Sequence, residues 1–226
     1  MDCLIMKMKT VFASLLSVLL TNVVSADDLA VGGNIGTKFA SEYHRRGQIV
    51  SQDAIQAQVG FNVGLGGVDV FGDFFTNRST ASSGADNDEL TVGFGTSLFE
   101  GNLAAYAGIY NTDNTDRETL EAFAQVGLTT LLSPTVSLYR DTDDSLYTFE
   151  GSLSHEFDLN IVELEIAGVL GNTELTSATD STYYGAKVTA TKTIKDNVDL
   201  YADVALTDTE TRDNETLWGV GLSVKF

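Results

Sequence analysis

Cysteine and proline are nearly missing from this chain: Cys3 and Pro134 are the only ones in 226 residues. One thiol cannot form an intramolecular disulfide or a cysteine-based zinc site, so neither can hold the fold together. Basic residues are also few, 13 Lys and Arg against 32 Asp and Glu, for a formal net charge of −19. Phosphate backbones are held by clustered Lys and Arg, and this balance argues against a nucleic-acid partner. No segment reaches the roughly 18 apolar residues of a membrane-crossing helix, and none keeps a sustained helical period. With only His44 and His155 as imidazoles, bases for catalysis are scarce. Ser41 and His44 fall on opposite faces of an extended strand, so no nucleophile–base pair is read and no enzyme is expected. Neither a Gly-rich phosphate loop nor the Asp-x-Asp-x-Asp-Gly register of a calcium loop occurs, so no cofactor and no metal is expected.

What is present begins with an address. Lys7 and Lys9, the apolar run Val11 to Leu20 and the small residues Val24, Ser25 and Ala26 make residues 1–26 a cleavable export signal. The remaining 27–226 form one domain with 11 basic and 31 acidic residues and no cysteine. An exported chain without disulfides needs another source of stability.

That source is legible in a period of two. Leu90, Val92, Phe94, Thr96 and Leu98 alternate with polar or small residues, as do Val198 to Leu206 and Trp218 to Phe226. About twelve such segments are expected, near 29–41, 53–65, 67–77, 89–98, 103–111, 120–132, 135–141, 146–157, 161–171, 182–194, 197–207 and 216–226. Polar connections around 42–52, 78–88, 112–119, 172–181 and 208–215 interleave with tight ones, and only 142–145 breaks the rhythm. The pattern predicts an all-β protein: a closed antiparallel transmembrane barrel in the bacterial outer membrane, with short periplasmic turns and long extracellular loops. Lipid offers no partner to a strand edge, so the ring must close. Its hydrogen-bond ladder supplies the missing stability.

Parity assigns the faces. Phe39, Phe61, Phe74, Phe94, Tyr147, Phe149, Phe157, Tyr184, Trp218 and Phe226 fall on the lipid side, joined by His155 and Lys192 close to short turns. The lumen receives Glu42, Asp69, Asp73, Glu121, Glu150, Glu156, Glu163, Glu165, Asp199 and Asp203 against Lys38, Arg46, Lys187 and Lys225. Lys187, between strands carrying Glu163, Glu165 and Asp203, is expected to pair with one of them. Lys38, Glu42 and Arg46 are expected to brace the mouth. Lumenal Phe71, Phe75, Tyr106, Tyr110, Phe123, Tyr139, Tyr183 and Tyr201 could narrow the bore.

Residues Thr37 to Gln48, with Ser41, Tyr43, Arg46 and Gly47, resemble the signature of an uncharacterised bacterial envelope family of the Gcw-chp type. The resemblance covers about 30 residues, implies an outer-membrane barrel and brings no activity. By resemblance to outer-membrane barrels generally, the terminal Phe226 implies recognition by the barrel assembly machinery. The functional expectation is a porin-like channel that passes small hydrophilic solutes or ions, biased to cations by its acidic lumen. The alternative is a closed structural or surface-recognition barrel with a filled lumen.

Overall fold

The computed structural model describes residues 29–81, 84–114, 117–176, 179–210 and 212–226, and the leader expected at 1–26 lies outside them. Twelve strands follow in order: β1 (Leu29–Arg45), β2 (Gln48–Leu65), β3 (Val68–Ser79), β4 (Asn87–Leu98), β5 (Leu103–Asn114), β6 (Glu118–Leu128), β7 (Thr135–Asp141), β8 (Tyr147–Asp158), β9 (Glu163–Thr176), β10 (Thr179–Lys195), β11 (Val198–Thr209) and β12 (Arg212–Lys225). Each pairs antiparallel with its neighbours, and β1 pairs with β12 to close the barrel. The closing register runs from Asn34↔Lys225 to Ala40↔Gly219. Backbone bonds between Gly33 and Phe226, 2.9 and 3.0 Å, extend it to the last residue.

The burial pattern inverts that of a water-soluble protein. Among the described residues only Ala40, Ala54 and Tyr183 are buried apolar side chains, while Asn77, Asn87, Thr112 and Ser51 are wholly enclosed. The ten aromatics assigned to the lipid side are all exposed, Phe94 at 58% and Phe149 at 56%. Large apolar groups outside and polar groups inside are what a bilayer demands, and they exclude a soluble sandwich. His155 sits on this outer face beside Phe157, ring centroids 4.4 Å apart, with its Nδ1 2.5 Å from the Leu131 carbonyl of the neighbouring short turn.

The strand bounds differ from the sequence reading mainly at the long-loop end. Most of the connection expected at 42–52 is strand, closed by the two residues Arg46 and Gly47 between paired Arg45 and Gln48. Both have positive φ, 49° and 75°, the signature of a tight I′ hairpin. Strands β9 to β12 likewise continue beyond their predicted limits. β6, expected to reach 132, stops at Leu128 because 129–134 forms the turn that contains Pro134.

Candidate functional site

The lumen is organised by one hairpin. β1 leaves β12 after Ala40, yet stays paired with β2 as far as Arg45, with a shift of register between Tyr43 and His44. β2 is irregular at the same level, where Asp53 has a φ of 48°. These bulges bend the end of the β1–β2 hairpin into the mouth. Ser41 Oγ accepts the Trp218 N–H that β12 would otherwise leave open, at 3.0 Å. The tip reaches the opposite wall: a side chain on Gly47 would stand 2.6 Å from Cβ of Tyr183 on β10.

Arg46 secures that tip. Its Nη1 and Nη2 each donate to Glu121 of β6 at 2.6 Å, and its guanidinium lies 4.0 Å over the Tyr139 ring. Arg45 stands 3.4 Å from the same carboxylate and 4.9 Å over Tyr110. Tyr43 donates to Glu89 and packs on Phe75, ring centroids 5.2 Å apart. The two arginines line a vestibule of about 210 Å³ on the hairpin side and a chamber of about 560 Å³ beneath it. A second chamber, about 270 Å³, contains Lys38, Gln56, Gln58, Glu165, Lys187 and Asp203.

Lumenal aromatics pave the wall. Phe71, Tyr106, Phe123, Tyr183 and Tyr201 sit directly opposite Gly93, Gly95, Gly108, Gly171 and Gly221 on the adjacent strand. Each ring occupies the space where a Cβ on that glycine would be, within 2.2 to 2.8 Å. A ring lying over a glycine stays close against the sheet.

The structure brings some expected residues together and separates others. The mouth brace is not one unit. Lys38 pairs with Asp203 at 2.8 Å, Arg46 with Glu121, and Glu42 with His44, because the bulges after Ala40 turn Glu42 away from the other two. Lys187 does not take up the carboxylates expected for it: among the described residues it has no ion pair and is exposed. The register explains this, since Lys187 lies opposite Ala205 and Ala167, while Lys38 reaches Asp203 across Gly219. Asp199 accepts from Thr193 at 2.7 Å and pairs with Lys225 at 2.9 Å, and Asp73 accepts from Gln58 at 2.7 Å. Asp69, Glu163 and Glu165 have no Lys or Arg within ion-pair reach among the described residues. Phe226 holds the seam through its backbone and exposes its ring.

Sequence reasoning missed two features. Arg45 belongs to the lumen because the hairpin bends, and Glu42, His44 and Glu215 converge, their ligand atoms all within 4.8 Å of one another. Parity along single strands carries neither signal.

Solved structures similar to this one share the closed ring. A porin named KdgM superposes with a TM-score of 0.56 and 12% identity over 86% of this chain and 99% of that one. The NanC porin gives 0.55 and 11% over 87% and 100%. An outer-membrane channel from Pseudomonas putida F1 gives 0.57 and 14% over 91% and 100%. The fold is that of an outer-membrane barrel. No family model matches the chain, and no curated protein is similar to it.

Proposed function

We propose that the chain is an outer-membrane channel for passive diffusion of small hydrophilic solutes, with a preference for cations. The leader at 1–26 would export it, and the last strand ending in Phe226 would address it to the barrel assembly machinery. The observation that carries the reading is the pair of chambers below the hairpin, the larger lined mainly by aromatic rings, several of them laid over glycines, and the smaller mainly by polar and charged groups. Asp69, Asp73, Glu150, Glu156, Glu163 and Glu165 have no Lys or Arg partner within 4.0 Å among the described residues, against Lys187 as the free amine. Such a wall lowers the potential for entering cations. Arg45 and Arg46, sharing Glu121, set a local positive step at the hairpin.

One observation favours the alternative, a closed barrel with recognition at its rim: the hairpin tip is tied to the far wall. Planar-bilayer recordings under a salt gradient separate the two. The channel gives discrete conductance and a reversal potential on the cation side, reduced in Glu163→Gln/Glu165→Gln. The preference shrinks in 1 M salt, where charges are screened beyond ~3 Å. An absence of discrete steps leaves the closed barrel, and an anion preference overturns the cation bias.

A further inference from the structure

Two carboxylates converge on one enclosed imidazole at the seam of the barrel. His44 Nε2 lies 2.8 Å from Glu42 Oε2 and 3.4 Å from Glu215 Oε2, and the His44 side chain is only 7% exposed. Glu42 and His44 come from β1 beyond the point where it leaves β12, and Glu215 comes from β12 itself. The other imidazole nitrogen, Nδ1, is engaged with Thr207 Oγ1 of β11 at 3.2 Å. Glu42 is further oriented by Gln52 Nε2, 3.5 Å from its second oxygen. No Lys or Arg lies within ion-pair distance of either carboxylate among the described residues, in contrast to Glu121, Asp199 and Asp203.

We propose that Glu42, His44 and Glu215 form a binding site for a zinc-class divalent cation that staples the first strand to the last. If Nδ1–H donates to Thr207, the Nε2 lone pair faces two anionic oxygens, an arrangement that repels unless a cation stands between them. A proton on Nε2 makes a hydrogen bond to Glu42 at 2.8 Å and leaves Glu215 with only a longer ion pair at 3.4 Å. A divalent ion serves all three. Ligand atoms bound at about 2.0–2.2 Å around a four-coordinate zinc stand roughly 3.3 Å apart, and the two nitrogen–oxygen distances here bracket that spacing. The Thr207 contact fixes the ring so that Nε2 is the coordinating atom, as in metal sites whose histidines are held through their other nitrogen. An imidazole among the donors favours zinc, nickel or copper over magnesium or calcium. Three protein ligands leave a fourth position of a four-coordinate ion for water.

The test uses the purified full barrel in detergent, treated with chelator and then titrated with Zn²⁺ by calorimetry, with metal content read by mass spectrometry. One equivalent is expected in the wild type, and it is lost in His44→Ala and in Glu215→Gln. Heat-modifiable gel migration shows that each variant is folded. If His44→Ala fails to fold, Glu215→Gln decides, because its amide keeps the shape of the carboxylate. Visible absorption of the Co²⁺-loaded wild type, missing in Glu215→Gln, supports coordination at this site. A wild type that takes up no stoichiometric Zn²⁺ overturns the proposal, as do variants that retain it. None of these readouts depends on conduction.

Discussion

Arg46 and Glu121, 75 positions apart in the chain, meet in a two-pronged ion pair with both nitrogen–oxygen distances at 2.6 Å. One belongs to the hairpin tip and the other to the wall it faces. Both are largely enclosed, with side chains 13% and 10% exposed. The tyrosine ring under Arg46 completes the hold. A planar guanidinium suits this geometry in a way an ammonium would not.

Releasing that tie should open the mouth. Glu121→Gln leaves Arg46 and Arg45 without their shared carboxylate. Removing one partner of an enclosed pair costs about 3–5 kcal/mol, enough to loosen a two-strand extension. Single-channel conductance should rise in Glu121→Gln relative to the wild type. Unchanged conductance would show that the tip does not limit the current.

Gly47→Ala should displace the tip for two separate reasons. Its backbone is left-handed, with a φ of 75°, and a Cβ would stand 2.6 Å from Cβ and 3.1 Å from Cγ of Tyr183. The backbone part costs about 1–2 kcal/mol. Tyr183→Gly, which removes both of those atoms, should relieve part of the steric cost and none of the backbone cost. A double-mutant cycle on unfolding free energy therefore gives a nonzero coupling between the two positions.

Asp203→Asn should destabilise the wall more than its conservative shape suggests. Lys38 Nζ lies 2.8 Å from that carboxylate and would lose its one ion pair among the described residues. A half-enclosed charge left this way costs about 1–3 kcal/mol. Adding Lys38→Met should restore most of the loss, since a matched apolar replacement removes the stranded charge as well. Denaturant titration of both variants in detergent checks this.

Depth in the bilayer should be readable from two outward positions. Val204, in the middle of β11 and 51% exposed, should lose about 2–4 kcal/mol when changed to Arg. His155→Arg, beside the short turn, should cost only about 0–1 kcal/mol. Equal costs at the two sites would contradict the placement of the apolar band.

Twelve strands, their order of faces and the outward aromatics were all readable from a period of two, because lipid forces one face to be apolar and leaves the other polar. The same logic fails beyond the bilayer. From Glu42 to Gln52 both faces of the hairpin meet water or the polar lumen, so alternation disappears while the backbone ladder continues. Bends at Tyr43/His44 and at Asp53 carry no glycine or proline to announce them. Cross-strand partners need the register as well as the parity. Lys187 and Lys38 both face the acidic wall, and only the register of the strands shows that Lys38 is the one within reach of Asp203.

In the proposed channel, the five rings that lie over glycines would place control of the bore in glycines that touch no solute. Alanine at Gly95 would put a Cβ 2.4 Å from the Tyr106 ring, with the nearest backbone atom at 3.4 Å, and alanine at Gly171 one 2.2 Å from the Tyr183 ring. A single methyl group would then lift a whole aromatic side chain off the wall and swing it inward. Over generations of mutation, the permeability of the proposed channel would drift through substitutions that look inert, a methyl group gained on a strand, while every charged group in the lumen is kept.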